Sequence, residues 1–378
     1  MTLEDPTLAA IKAYDMSPAE AIVGLLVLIV TAVIHAVNQV ISKTDGKGLI
    51  SRKVVRTPES SFSGVEESPG SHYMYIHHEG QSFRIHYIDQ GGYESDDVIL
   101  CLHGEPFWSQ SYRKLIPYLV KQGYRVIAPD YVGFGRSDKL VDWRAYSLGL
   151  HEATLEQLML ALNLPQKRVT LVGHNWGFLA GIHTMRKHPD WFDNLVILNT
   201  NNLPDGEVSS GRFPTSGLLM KYLVYDAYFL TFRSAIELLK HSFPLPFLLS
   251  ALNVRYSRKE KRDFLAPFQR KQDLGGVVAF PLMVPVKPSD KYAADFREAR
   301  AFLAHHWNKP TLIMYSSPAV VPFIQTGDPV VGNRRDFFKR LIPHATVAPR
   351  IPGGHLIQYD NPQAVSHYIV QFLTYGIL

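Results

Sequence analysis

Short apolar runs alternate with longer, helix-patterned stretches over most of the chain beyond residue 75. Asp97–Leu102 and Val169–Val172 are examples in which nearly every side chain is apolar. Strands are predicted at 83–88, 97–102, 125–128, 169–172, 195–198 and 311–315. Helices are predicted between them, for example at 148–162 and 178–187. Continuous apolar strands that alternate with helices predict an α/β fold, with a mostly parallel sheet covered by helices on both faces.

Residues 203–290 interrupt this alternation. The segment has a helical pattern, is punctuated by prolines, is rich in aromatic residues and stands between two predicted strands of the sheet. We interpret it as a helical lid inserted between the predicted strands at 195–198 and 311–315. The core is then divided into a first part at 73–202 and a second part at 291–378.

The N-terminal region has a different pattern. Residues 21–41 are mostly apolar, and at about 1.5 Å per residue a helix of this length could cross a bilayer of about 30 Å. Polar residues near its end leave a packed or interfacial helix as the alternative. Acidic residues precede the segment and basic residues follow it, which predicts a single-pass membrane anchor with the main domain in the cytosol. Residues 1–20 are then an N-terminal tail, and 42–72, rich in Ser, Gly and Lys, a tether.

Composition narrows the class of protein further. The chain has 378 residues, of which 46% are hydrophobic and 19% charged, enough for a large core. The formal charge is +5, but the basic residues are scattered and form no stripe with interleaved aromatics, which argues against nucleic-acid binding. The single cysteine, Cys101, excludes an intrachain disulfide, and its apolar neighbours place it in a core strand.

The segment 169–178 carries the most informative motif. It reads as an apolar strand, a turn bounded by Gly173 and Gly177, and the start of a helix, which is the outline of a nucleophile elbow. Such a turn holds its central side chain above the sheet, where Ser, Cys or Asp is expected. The central residue here is Asn175, and an amide is a poor nucleophile.

Two other strand ends lead into turns. After the strand ending at Leu102, the run 103–106 (His-Gly-Glu-Pro) is a tight turn, and the backbone N–H groups of Glu105 and Trp176 are predicted to form an oxyanion hole. The run 128–138 is a strand followed by a Gly-rich loop. It lacks the Gly-Lys-Ser/Thr sequence and the acidic residue of nucleotide-binding motifs, so nucleotide binding is rejected.

The C-terminal part supplies candidates for the acid and the base that would act with the nucleophile position. Asp328 lies in a Gly- and Pro-containing loop, and His355 follows the pair Gly353-Gly354. Together with position 175 they give the order nucleophile, acid, base. Asp328 is predicted to fix the imidazole tautomer, and His355 to activate water.

These motifs in combination resemble those of the haloalkane dehalogenases of the α/β-hydrolase fold, in particular the subgroup with His-Gly-Glu-Pro. The similarity covers roughly residues 75–378, and the wider fold also includes epoxide hydrolases. The runs that carry it are 103–108, 113–117, 128–139, 281–285 and 354–362.

The resemblance implies a two-step displacement on a small apolar substrate. In such enzymes an Asp at the position of Asn175 attacks the halogenated carbon, which gives an alkyl ester and a halide ion. Water activated at the position of His355 then hydrolyses the ester. Trp176 matches the tryptophan whose indole N–H holds the halide, and Asn199 matches a structural position near the acid. The resemblance implies no cofactor, and no cluster in the sequence has metal-ligand spacing.

Two departures from the family pattern leave alternatives open. Position 175 carries Asn, and the predicted lid contains no tryptophan that could give the halide a second indole donor. One alternative is an epoxide hydrolase in which a lid tyrosine polarises the epoxide oxygen. The other is a catalytically silent protein that binds a ligand in the retained pocket. The candidate tyrosines are Tyr222, Tyr225, Tyr228 and Tyr256.

Overall fold

The computed structural model describes residues 49–66, 69–200, 203–205, 256–285, 288–317 and 334–376. An eight-stranded sheet forms the centre of this part of the chain, in the order β2-β3-β5-β4-β7-β8-β9-β10. The strands are β1 (Val54–Val55), β2 (Ser71–His78), β3 (Gln81–Gln90), β4 (Asp97–Leu102), β5 (Arg125–Pro129), β6 (Lys139–Leu140), β7 (Arg168–His174), β8 (Asn194–Leu198), β9 (Thr311–Met314) and β10 (Thr346–Val347).

The sheet is parallel except at one edge. Strands β5, β4, β7, β8, β9 and β10 pair in parallel, whereas β3 pairs antiparallel with both β2 and β5. The carboxyl ends of the parallel strands therefore meet at a single edge, where loops can bring distant residues together. The mostly parallel sheet predicted from the sequence is confirmed, and each predicted strand is present.

Helices flank the sheet on both sides. They are α1 (Ile116–Lys121), α2 (Leu148–Ala161), α3 (Trp176–Lys187), α4 (Arg258–Leu265), α5 (Gly275–Met283), α6 (Ala293–His305), α7 (Arg334–Leu341), α8 (Ile357–Asp360) and α9 (Pro362–Tyr375). Local caps fix several starts. Ser147 accepts a hydrogen bond from the Leu150 N–H at the start of α2, and Ser257 with Glu260 forms a capping box on α4.

Strand β4 shows why the predicted strands are apolar throughout. Val98, Leu100 and Leu102 pack into the hydrophobic cluster on one face of the sheet. Ile99 and Cys101 pack into the cluster on the other face. Since both faces are covered, neither set of alternating side chains meets water. Cys101 is a buried core residue, and its burial raises the pKa of its thiol.

The strands absent from the sequence prediction lie at the sheet edge or are very short. Strand β2 has a buried side chain only at Ile76, and its polar and aromatic residues do not form an apolar run. Strands β1, β6 and β10 have two residues each. Edge strands are half exposed and short strands carry little pattern, so hydropathy does not single them out.

Residues 49–66, in the region predicted as a tether, lie against the folded core. Val54 and Val55 pair antiparallel with Leu140 and Lys139. Phe62 is buried, and its ring meets Trp108 edge-on with centroids 5.8 Å apart. A few apolar side chains in a polar segment are therefore enough to dock it on the domain.

The predicted membrane anchor is corrected. Among the helices of the described part, none is long and apolar enough to cross a membrane. The longest of them, α2 and α9, have 14 residues each. At about 1.5 Å per residue such a helix spans about 21 Å, short of the roughly 30 Å of a bilayer core. Residues 21–41, on which the prediction of a single-pass protein with a cytosolic domain rested, lie outside the described residues.

The described part of the predicted lid contains two helices, α4 and α5. Phe264 of α4 packs edge-on against Phe107, at 5.2 Å between ring centroids. Phe280 of α5 stacks on Trp176 at 4.6 Å with an interplanar angle of 9°. Both helices therefore contact the turns at which the site is predicted. Tyr222, Tyr225 and Tyr228 lie outside the described residues.

The start of α3 packs so closely on β4 that only glycine fits there. A Cβ at Gly177, the second residue of α3, would lie 2.1 Å from the Leu102 carbonyl oxygen. We expect Gly177→Ala to lower the free energy of unfolding by about 1–3 kcal/mol or more, because backbone must move to admit the methyl group. Urea unfolding monitored by circular dichroism measures the change.

Gly149 is the matched control, since it is the second residue of α2. A Cβ there would meet its nearest neighbours at 3.8 Å, an ordinary contact. Gly149→Ala should leave stability unchanged or raise it by up to about 1 kcal/mol through helix propensity. Equal losses in the two variants would contradict the packing argument.

Candidate active site

The nucleophile position lies in a strained turn between β7 and α3. Asn175 has φ 50° and ψ −121°, a backbone conformation that residues other than glycine rarely adopt. Its N–H is held by the Thr200 hydroxyl at 3.0 Å and by the Leu198 carbonyl at 3.4 Å. The turn is thus fixed by the end of the neighbouring strand β8, and the side chain of Asn175 is left half-buried above the sheet.

The turn after β4 closes on this elbow. The Glu105 N–H donates to Asn175 Oδ1 at 3.3 Å. Gly104 permits the approach, because a Cβ there would lie 2.5 Å from the Asn175 Cβ and 2.7 Å from His174 Nδ1. One of the two predicted oxyanion-hole donors, that of Glu105, therefore reaches the oxygen at position 175.

His355 is positioned through its backbone. Its carbonyl oxygen accepts hydrogen bonds from His174 Nε2 and from Asn199 Nδ2, each at 2.9 Å. Asn199 Nδ2 also lies 3.1 Å from the Gly354 carbonyl oxygen. The rings of His174 and His355 meet edge-on with centroids 4.6 Å apart. The ends of β7 and β8 together thus hold the loop that carries the predicted base.

Asn199 also holds the start of the loop that leads to Asp328. Its Oδ1 accepts the Ser316 N–H at 2.9 Å, and Ser316 forms a parallel bridge with Ile351. Asn199 therefore ties three segments together at the edge of the sheet. Asp328 itself lies outside the described residues, so its role as the acid stays a prediction.

Trp176 lies in an aromatic cluster. It is buried and stacks on Phe280, which in turn packs against the rings of His151 and Phe134, each at 4.7 Å between centroids. Tyr131 meets His151 edge-on at 5.3 Å. The surface next to the elbow is therefore predominantly apolar and aromatic, as a site for an apolar substrate requires.

Several polar groups are buried here without partners among the described residues. They are Glu105 Oε1, the Tyr131 hydroxyl, His174 Nδ1 and both ring nitrogens of His151. Burial raises the pKa of Glu105 well above its usual value, because the charged carboxylate would lose its hydration. Burial also lowers the pKa of His151 to about 3 and that of His174 well below its usual value.

The sequence interpretation missed His174, His151 and Phe280. His174 directly precedes Asn175, so its place at the end of β7 was visible, but its contact with His355 depends on a loop 181 residues away. His151 lies on α2 among apolar residues, where a histidine reads as part of a packed face. Within the part of the chain that the structure describes, no group of three or more His, Cys, Asp or Glu residues could hold a metal ion.

Comparison with known proteins defines the class and then the family. The family described as alpha/beta hydrolase fold matches residues 97–362, so the chain is an α/β-hydrolase. It is 31% identical over 329 residues to a haloalkane dehalogenase of Psychrobacter cryohalolentis, covering 85% of this chain and 98% of the relative. It is also 32% identical over 326 residues to a haloalkane dehalogenase of Mycobacterium marinum, covering 84% and 99%.

A solved structure supports the same conclusion. Haloalkane dehalogenase DpaA from Paraglaciecola agarilytica NO2 matches with a TM-score of 0.66 and 27% identity, covering 85% of this chain and 98% of that one. The chain therefore belongs to the haloalkane dehalogenase family, whose members are hydrolytic enzymes. The resemblance and fold class predicted from the sequence are confirmed.

The buried His151 makes stability depend on pH. Its pKa is about 3 in the folded protein and 6.5 in the unfolded chain. Between these two pKa values only the unfolded chain takes up the proton, which favours unfolding. The stability associated with a neutral, buried His151 is therefore complete above pH 6.5 and is lost as the pH falls. His151→Phe should reduce the pH dependence of the unfolding free energy in this window by about 1.4 kcal/mol per pH unit.

Urea unfolding at about pH 7 and about pH 5 measures the effect. His367, which is exposed on α9, is the matched control because its ring meets water in both states. His367→Gln should leave the pH dependence unchanged. A His151→Phe protein with the pH dependence of the parent would contradict the assignment of a neutral, buried His151.

Proposed function

We propose that this haloalkane dehalogenase-like hydrolase cleaves the carbon–halogen bond of a small apolar substrate, and that it does so only when position 175 carries a carboxylate. The observation that supports the proposal is the hydrogen bond from the Glu105 N–H to Asn175 Oδ1. This donor is aimed at the oxygen that a nucleophilic carboxylate would occupy. The elbow thus presents a side chain of the right size and shape, with an amide in place of the acid.

In the proposed first step, a carboxylate oxygen at position 175 attacks the carbon that bears the halogen. The new carbon–oxygen bond forms as the carbon–halogen bond breaks, and the halide leaves with the bonding electrons. The Trp176 indole N–H is the proposed halide donor. The aromatic cluster around Phe280 would contact the alkyl group and exclude water from the reacting carbon.

In the proposed second step, His355 takes a proton from water, which attacks the ester carbonyl carbon of residue 175. The negative charge then develops on an oxygen near the Glu105 N–H. The alcohol leaves with the proton that His355 returns to its oxygen, and the carboxylate is restored. Asn199 and His174 act here as positioning residues, since both hold the His355 carbonyl oxygen.

With Asn175 as translated, the nucleophile of the first step has no full negative charge. The amide oxygen carries only a partial negative charge, so its nucleophilicity lies far below that of a carboxylate. The second step, however, needs only an acyl carbon at position 175 and water activated by His355. The amide provides that carbon, so the same site could hydrolyse its own Asn175 to Asp and release ammonia.

No observation favours the epoxide hydrolase alternative over this one. Of the four candidate tyrosines, only Tyr256 lies within the described residues, and its hydroxyl donates to Asp360 Oδ1 at 2.8 Å. A silent ligand-binding protein is the other alternative, and the activity of Asn175→Asp separates it from the proposed enzyme.

Asn175→Asp should convert the protein as translated into an active dehalogenase. The substitution keeps the side-chain shape and adds the charge, so we expect halide release to rise by at least about 10³-fold. Halide release from a panel of short haloalkanes, together with diol formation from epoxides, measures the activity. Asn163→Asp is the matched control, since Asn163 also has a positive φ, of 53°.

The ligand-binding alternative predicts a different result. If Asn175→Asp folds normally but releases neither halide nor diol, the proposed function is wrong. Turnover of epoxides without halide release would support the epoxide hydrolase. Asn163→Asp should remain as inactive as the parent, and activity in that variant would point to a contaminant.

Slow hydrolysis of Asn175 should be visible by mass. Peptide mapping of freshly made protein should show Asn at position 175, and aged protein should show a fraction with Asp, heavier by about one dalton. His355→Gln should block the change because water is no longer activated. A mass that stays constant in aged protein, or that changes equally in His355→Gln, would exclude maturation by this site.

A further inference from the structure

A second set of serine, histidine and aspartate lies outside the candidate active site. Ser71 Oγ is 2.6 Å from His86 Nε2, and His86 Nδ1 is 2.7 Å from Asp130 Oδ2. Ser71 begins β2, His86 lies on the adjacent strand β3, and Asp130 follows β5. Both distances are those of good hydrogen bonds, so the three side chains form a continuous chain.

The surroundings of Asp130 fix the direction of these hydrogen bonds. Asp130 Oδ1 accepts the Ser109 N–H at 2.7 Å, and Oδ2 accepts the Arg136 N–H at 2.8 Å. The Ser109 N–H, the Arg136 N–H and His86 Nδ1 thus converge on this carboxylate. The carboxylate is therefore an acceptor, so His86 Nδ1–H donates to it. In the neutral imidazole Nε2 then accepts the Ser71 hydroxyl proton.

Solvent exposure increases from Asp130 through His86 to Ser71, as a nucleophilic serine requires. Asp130 is fully buried and His86 is 2% exposed, whereas Ser71 is exposed. The Gly-rich loop after β5 encloses the carboxylate, since a Cβ at Gly135 would lie 2.0 Å from Asp130 Oδ2. The Gly-rich loop for which nucleotide binding was rejected from the sequence thus holds Asp130 in place.

A small cavity adjoins the serine. It is lined by Ser71, His86, Trp108 and Ser109 among others, and its volume is about 10 Å³. A space of about this size holds one water-sized oxygen atom. Trp108 is only 2% exposed. Neither its Nε1 nor Ser109 Oγ has a hydrogen-bond partner among the described residues. Trp108 and Ser109 thus bring an indole N–H and a hydroxyl to the lining of this cavity, and these two groups are the candidate donors to a developing oxyanion.

We propose that Ser71, His86 and Asp130 form a second nucleophilic site, separate from Asn175, that accepts the acyl group of a small activated ester. Ser71 Oγ attacks the carbonyl carbon as His86 Nε2 takes the hydroxyl proton. The bond to the leaving oxygen breaks, and that oxygen departs with the proton. Water, deprotonated by the same nitrogen, then cleaves the acyl-serine to the carboxylic acid and restores Ser71.

A fluorophosphonate tests the nucleophile directly in the full-length protein. The Ser71 oxygen should form a bond to phosphorus as the phosphorus–fluorine bond breaks, and peptide mapping should place the adduct on Ser71. Ser71→Ala should abolish it, whereas Ser82→Ala, at an exposed serine of β3, should retain it. Labelling that is absent, or that is equal in Ser71→Ala, would show that the His86–Asp130 pair is structural only.

A cysteine in place of Ser71 tests whether His86 activates the nucleophile at this position. Its alkylation by iodoacetamide forms no oxyanion and so does not depend on the oxyanion donors. The chain has one native cysteine, Cys101, and its buried thiol should remain silent. Ser71→Cys should react with iodoacetamide at least about tenfold faster than Ser82→Cys, because the imidazole removes the thiol proton. Equal rates would overturn the proposed activation.

Trp108→Phe separates the oxyanion donor from the nucleophile. The substitution removes the indole N–H and keeps an aromatic ring against Phe62. Phosphonylation of Ser71 should slow by about tenfold or more, since the developing charge loses a donor. Alkylation of Ser71→Cys should be unchanged by Trp108→Phe. Slowing of both reactions alike would show a general disturbance and contradict the assigned oxyanion role.

Discussion

The close contact between the turn after β4 and the turn after β7 is the constraint on which the site depends. These strands are parallel neighbours, with Leu102 paired to Gly173. Gly104 and Gly177 allow backbone and side chains to approach where any Cβ would collide. Only at this separation does the Glu105 N–H reach the oxygen of residue 175. The glycines of the two motifs are therefore needed for one shared contact, and that contact brings the predicted oxyanion-hole donor of Glu105 to the side chain of residue 175.

The predicted base is held by a second constraint, at the His355 carbonyl oxygen. Two side chains, His174 from β7 and Asn199 from β8, donate to it. Burial keeps His174 neutral, because a second ring proton on Nδ1 would have no acceptor among the described residues. The loop that carries His355 is thus tied to the same strand ends that carry the elbow. A change at either strand end would move the nucleophile position and the base together.

An amide at position 175 leaves this geometry intact while removing the charge. Asn and Asp have the same shape, so the oxyanion turn, the elbow and the aromatic cluster around Phe280 do not need to change between them. What differs is the ability of the oxygen to attack carbon. The family is accordingly one of hydrolases, and under the proposed function the identity of one side-chain atom separates a silent protein from an active one.

The sequence by itself determined the buried strands, the mostly parallel sheet and the elbow centred on Asn175, because the hydrophobic pattern and the turn glycines are local signals. It did not reveal the exposed edge strand β2 or the stacking of Phe280 on Trp176. Nor did it reveal the hydrogen-bonded series Ser71–His86–Asp130, whose members come from strands β2 and β3 and from the loop that follows β5. Only the tertiary structure decided these contacts, since a hydrophobic pattern specifies which face of an element is buried but not which residue of another segment packs against it.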